Sequence, residues 1–177
     1  MAVVADTERL RLREVTPADA PFILELVDSA EFRRWIGDRG VSDLPSALRY
    51  IEQGPRASYA RHGFGLWAVE LRESAQPIGL CGLLKRDTLD DVDLGYALLA
   101  RHAGAGYARE AAAAALAWGR KMRGLERIVA IVLPENARSI AVLDGVGMRF
   151  ERLLPADAAG QVLALYAWSA PRRDQVA

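Results

Sequence analysis

The segment Arg101-His102-Ala103-Gly104-Ala105-Gly106-Tyr107-Ala108 brings a cation and two glycines together just ahead of an alanine-rich stretch. Glycine has no Cβ, so the backbone can curl there and approach an anion closely. A helix that starts at this turn presents unpaired N–H groups and positive partial charge. The result is an anion site built from main-chain donors, with the full charge of Arg101 beside it. A tight turn without a ligand explains two glycines equally well. The spacing is neither the G-x-G-x-x-G of a dinucleotide fold nor a P-loop, which needs Gly-Lys-Ser/Thr.

Other side chains also have types suited to chemistry. Asn136 can cap a helix, with Ser139 in its first turn. Asp93 and Glu70 are carboxylates on expected strands. His102 lies in the glycine turn and reads as a solvated imidazole, Tyr107 as a helix-start packing residue. Cys81 is the single cysteine and reads as a small apolar strand residue. With only His62 and His102 beside it, neither an internal disulfide nor a Cys/His metal cluster can be built.

These residues need elements to hold them. Leu10 and Leu12 alternate with Arg9, Arg11 and Arg13, the pattern of a half-buried strand at about 8–15. Thr16-Pro17-Ala18-Asp19 opens a helix: Thr16 caps it, Pro17 suits the first turn, and Asp19 meets the positive dipole end. A second helix spans about 43–61, with Gly54-Pro55 as a candidate break. Strands are expected at Phe64–Leu71, Pro77–Leu84 and Val92–Leu99. A helix over 105–122 follows, then a strand at Ile128–Leu133 and a helix from Asn136 to about Gly145. Met148–Leu154 and Val162–Trp168 form a final hairpin. The order β-α-α-β-β-β-α-β-α-β-β specifies a mixed α/β (α+β) sheet with helices on its faces.

A chain of 177 residues suits a single domain over 1–177, with its core at about 7–169 and short flexible termini. The 23 basic side chains match the 23 acidic ones, so no global field points to nucleic acid or an anionic membrane. Met1–Asp6 lacks a basic region followed by a long apolar run, so no secretory signal is expected. The longest apolar stretch, Ala111–Trp118, is too short to span a bilayer. A cytoplasmic location is the expectation.

Arg101-x-x-Gly104-x-Gly106-Tyr107-Ala108 resembles the Q/R-x-x-G-x-G/A signature of the GNAT acetyltransferase superfamily. Asp93-Leu-Gly-Tyr96 is similar to the E-L-G-Y strand of its Rim-type branch, the ribosomal-protein N-terminal (alanine) acetyltransferases. Asn136-Ala-Arg-Ser139-Ile-Ala-Val-Leu143 with Gly147 resembles that branch's N-x-x-S-x-x-x-L…G segment. Thr7–Arg13 and Ile78-Gly79-x-Cys81-Gly82 are similar to its first and central strands. The likeness runs over about 7–169.

The resemblance implies a twisted, mostly antiparallel GNAT-like sheet that splays between its fourth and fifth strands, 92–99 and 127–133. The pantetheine arm of acetyl-CoA would enter that gap and bond to backbone near Leu98 and Leu99. The pyrophosphate would sit on amides of His102, Ala103, Gly104, Ala105, Gly106, Tyr107 and Ala108, with Arg101 beside it. Asn136 and Ser139 would line the cofactor, and no metal is implied. Ser139 is placed at the sulfur as a proton donor. Asp93 replaces the branch's glutamate and is read three ways: a base acting through water, a solvated strand carboxylate, or a group that orients the amine. Glu70 is a weaker candidate, and Tyr96 would line the acceptor site.

The activity implied is acetyl-CoA-dependent N-acetylation of a primary amine, such as a protein N-terminus, through a ternary complex. The alternatives are acetylation of a small amine (an amino acid, polyamine or antibiotic) and a CoA-binding regulatory module without turnover. Glu31-Phe-Arg-Arg-Trp35 is read either as a substrate contact or as Phe32 and Trp35 in the core. No nucleic-acid or membrane partner is expected, and the reading leaves room for a homodimer.

Overall fold

The computed structural model describes residues 2–170. The end expected to be flexible, 171–177, lies outside the described residues. Eight strands form one sheet: β1 (Val3–Asp6), β2 (Leu10–Arg13), β3 (Leu66–Leu71), β4 (Pro77–Leu84), β5 (Asp93–Leu98), β6 (Arg127–Val132), β7 (Arg149–Leu153) and β8 (Ala164–Ser169). Six α-helices accompany them: α1 (Ala20–Val27), α2 (Ala30–Trp35), α3 (Leu44–Ile51), α4 (Ala57–His62), α5 (Tyr107–Arg123) and α6 (Ala137–Gly145).

The strand order is β1-β2-β3-β4-β5-β6-β8-β7. Every neighbouring pair is antiparallel except β5 and β6, which run parallel and meet in register only at Asp93 and Val129. Beyond that pair the two strands part, so the sheet splays where it was expected to.

Each face of the sheet carries a helical layer. On one, α5 lays Ala111, Ala112 and Ala115 against Trp67, Cys81, Leu83 and Ile128. Close approach requires small residues here: a Cβ on Gly119 would stand 2.8 Å from Leu83 Cδ1. On the other, Ile23, Leu26 and Ile51 of α1 and α3 cover Ala68, Leu80 and Leu99. Side chains alternate between the faces along each strand. On β5, Tyr96 and Leu98 join the α5 cluster, while Ala97 joins the α1–α3 cluster.

Several expectations need correction. Residues 3–6 are not a loose end but β1, held antiparallel on β2. The stretch 30–35 is a helix, with Ser29 accepting the Phe32 N–H as its cap. Gly54-Pro55 does not break the 43–61 segment. A wide π turn over Glu52–Arg56 absorbs Pro55, whose nitrogen has no proton to donate, and α4 continues. Strand β2 is not half-buried at its end: Arg13 is 5% exposed. Its guanidinium binds Asp19 at 2.7 Å and pairs with Glu70. Asp19 stands in the first helical turn as expected, accepting the Thr16 N–H at 2.7 Å, and serves Arg13 as well. Burial pushes the Asp19 pKa up, but these bonds outweigh it and hold the carboxyl below its usual range.

Candidate active site

The gap between β5 and β6 opens into a cleft of about 1270 Å³, ample for a large ligand. Its walls come from β5 and β6, the turn before α5, the start of α6, and the loops and helices between α2 and α4. Leu99 donates its N–H to Ile78 O at 2.9 Å, so the odd positions of β5 spend their main chain on β4. The even positions Tyr96 and Leu98 turn theirs toward the gap. Leu99 is a correction: its N–H is spent, its carbonyl accepts the His102 N–H, and its side chain is buried under α1–α3.

The glycine turn lies at the mouth of the cleft. Gly104 and Gly106 have φ of +82° and +81°, a backbone that favours glycine. The first helical bond of α5 runs from Glu110 N to Gly106 O, so the amides of Tyr107, Ala108 and Arg109 have no helical acceptor. His102 and Ala103 are less available, because their N–H groups close the turn on Leu99 and Ala100. His102 is also not a solvated imidazole: its Nε2 is buried and has no partner among the described residues.

The charges differ from expectation. Arg101 does not face the cleft, because it is paired with Glu25 on α1. Arg109 and Arg138 line the cleft instead. Arg9 lies beside the turn, bound to Glu110 at 2.7 Å and to Ala105 O at 2.9 Å, 4.6 Å above the Tyr107 ring. Tyr107 thus packs at the helix start and lines the cleft as well. Arg109 directly follows the turn in sequence, whereas Arg9 and Arg138 are distant and only the fold brings them to the site.

On the α6 side, Asn136 Oδ1 accepts the Ser139 N–H at 3.1 Å and caps the helix. The Ser139 hydroxyl lies 2.7 Å from the Tyr96 hydroxyl, which also reaches Ser139 O at 2.9 Å. Burial pushes the Tyr96 pKa up, so this phenol keeps its proton. Tyr96, expected to line the acceptor site, lines the cleft from the α5–α6 face beside Ser139. No local pattern in the sequence relates a strand tyrosine to a helix serine 43 residues away.

Asp93 lies on the opposite face, at the last paired position before the strands part. It is 1% exposed, which excludes the solvated reading. Its Oδ2 accepts from Arg86 Nε at 2.9 Å, while Oδ1 is buried without a partner among the described residues. Burial pushes its pKa up; Arg86 opposes that only in part. Glu70 lies against Arg13, away from the cleft lining. Trp35 lines the cleft, whereas Phe32 is buried in the α1–α3 core and touches it as well.

A mixed sheet splayed beside a glycine turn at the start of its long helix is an acyltransferase architecture. The acetyltransferase (GNAT) domain pattern matches residues 9–149, and the chain belongs to that family of enzymes. It is similar to an acetyltransferase from Agrobacterium tumefaciens (29% identity, 96% of this chain, 95% of that one, TM-score 0.81). Mycobacterium smegmatis RimJ, solved with a CoA-disulfide, is also 29% identical, over 94% of this chain and 84% of that one, with a TM-score of 0.78. An uncharacterized N-acetyltransferase, p20 of Bacillus licheniformis, is 28% identical over 95% of this chain and 96% of its own. No described helix is long and apolar enough to cross a membrane.

Proposed function

We propose that the chain is a single-domain N-acetyltransferase that moves an acetyl group from acetyl-CoA to a primary amine within a ternary complex. The observation that carries this is the open edge of β5, with Tyr96–Ser139 on one face and Asp93 on the other. CoA is supported by the fit of the site: unpaired amides at the start of α5, the cations Arg109 and Arg138, and the free Leu98 main chain. The bound state of RimJ supports the same occupant.

Acetyl-CoA would supply the acetyl group as an activated thioester. The residues then divide the remaining work by face. The α1–α4 side of the cleft receives the amine. Asp93 Oδ1, buried and unpartnered, accepts its proton directly or through water. The Leu98 N–H, on the open edge, is available to stabilise a developing oxyanion. Tyr96, held protonated, donates to the departing sulfur, with Ser139 orienting its hydroxyl. Asn136 fixes the start of α6 and thereby Ser139. Holding both reactants in one gap lowers the entropic barrier.

The test is thiol release from acetyl-CoA with peptides and small amines as acceptors, beside calorimetry with CoA. Amine-dependent release supports the transferase. CoA binding without release from any amine would instead favour a regulatory module. The relative rates on peptide and small amines assign the acceptor.

A further inference from the structure

A second, smaller pocket of about 300 Å³ opens beside the acceptor side of the cleft. It is lined by Arg39, Gly40, Ser46, Arg49, Tyr50, Gln53 and Gly54. Four of these, Arg39, Tyr50, Gln53 and Gly54, also line the main cleft, so the two spaces are continuous. Helix α3 presents Ser46, Arg49 and Tyr50 on one face by its period, and Gln53 follows in the π turn. The lining has two guanidinium groups and no carboxylate.

Neither cation is neutralised by an ion pair among the described residues. Arg39 makes one long contact to Ile36 O, at 3.4 Å. Arg49 lies near Asp43, but that carboxylate is engaged in capping α3 through the Ser46 N–H, at 2.8 Å. Some exposed arginines of this protein do meet carboxylates, Arg11 with Asp6, Arg33 with Asp28 and Arg101 with Glu25, whereas the pocket holds Arg39 and Arg49 together with no acid in its lining. Tyr50 lines both spaces. Burial pushes its pKa up, and both Arg39 and Arg86 pull against that. Arg86 is the residue bound to Asp93. Arg39, Tyr50, Arg86 and Asp93 all line the one main cleft.

Resting on the transferase reading above, we infer that Arg39 and Arg49 form an anion subsite, and that the acceptor is a primary amine carrying its own carboxylate or phosphate group. The amine goes to Asp93 Oδ1 and the anion to the arginine pocket. Guanidinium groups suit this because their planar forks bind carboxylate and phosphate in pairs of bonds. Glu31, the other acid on this wall of the cleft, stands outside the arginine pocket. The anion can belong to a small amino compound or to an acidic side chain following a peptide N-terminus.

The experiment uses matched acceptors that differ only in charge. β-Alanine against β-alaninamide forms the small-molecule arm; an Ala-Glu-Glu peptide amide against Ala-Gln-Gln forms the peptide arm. The expected result is a higher kcat/KM for the anionic member in at least one arm, by roughly tenfold or more, the size of a charge-assisted bond. The arm that responds identifies the source of the anion. Both R39Q and R49Q should shrink that ratio toward one, mainly through KM. Calorimetry with CoA monitors the folded state of each variant. Equal rates on charged and neutral members in both arms, or a ratio that survives both substitutions, would overturn the subsite and leave the transferase standing. No thiol release from any acceptor, in a protein that binds CoA, would overturn the transferase reading itself.

Discussion

The Tyr96 and Ser139 hydroxyls meet at 2.7 Å, so a change in either acts on both. Tyr96→Phe removes the proton held at the sulfur side and should lower kcat by about 10²-fold, with CoA affinity little changed. Ser139→Ala leaves the phenol in place, so its loss should be smaller, within about tenfold. Steady-state kinetics in both substrates separates these, and a larger loss in Ser139→Ala would reverse the two roles. Asp93 yields a different pair of effects. Burial raises its folded pKa, so the native state binds that proton more tightly than the unfolded chain. Its stabilising contribution is present below the unfolded pKa and is lost as pH rises through the folded one. At neutral pH the ionised carboxylate is a net cost, and Asp93→Asn should melt no lower than wild type while losing about 10²-fold in rate. Wild-type rate should fall as pH drops through the raised pKa, so the acid limb lies above the ordinary carboxylate range. A pH–rate profile and paired melting curves check both. The sequence showed Ser139 and Asp93 as candidates but could not show that they stand on opposite faces: Asp93 holds an odd position of β5, and Ser139 meets Tyr96 at an even one.

At the scale of elements, the turn and α5 were the most legible part of the chain. Glycines at 104 and 106 followed by alanines announce a helix start, and the helix begins at Tyr107. What composition could not show is why glycine stands there. A Cβ on Gly104 would meet nothing within 4 Å, and one on Gly106 only Arg9 Nη2 at 3.4 Å. The constraint is the left-handed backbone, not crowding. Gly106→Ala should therefore cost about 1–2 kcal/mol of stability, the penalty for an L-residue in that region. It should also weaken CoA binding, because relief of the strain rotates the amides of the helix start. Comparable CoA affinity in calorimetry, despite the lower melting temperature, would detach the anion site from this turn. Strand β1 was harder to see. Val3-Val4-Ala5-Asp6 is short and has no alternation, and only its partner β2 makes it a strand. The buried role of Arg13 was equally hidden, because its carboxylate partners come from the turn before α1 (Asp19) and from β3 (Glu70).

Taken as a whole, the molecule is a sheet in two halves, β1–β5 and β6–β8–β7, joined in register at a single residue pair and spanned by α5 and α6. An interior sheet edge left open exposes main-chain donors that other proteins bury or pair. If a ligand completes that edge, its binding must show in the amides of one strand, and in alternate residues only. Without ligand, the N–H groups of Ala97 and Leu99 face β4 and should exchange slowly, whereas those of Tyr96 and Leu98 face the gap and should exchange fast. Saturating acetyl-CoA should protect Leu98 in particular and leave Ala97 and Leu99 nearly unchanged. The same ligand should raise stability by about 2.7 kcal/mol at a hundredfold excess over Kd. For a chain of this length that corresponds to roughly 5–10 °C in Tm. Residue-resolved hydrogen exchange by NMR makes the comparison directly. Uniform protection along β5 in the free protein would mean that the strands close in solution. Stabilisation without added protection at Leu98 would place the ligand at the helix start alone, with its arm outside the gap.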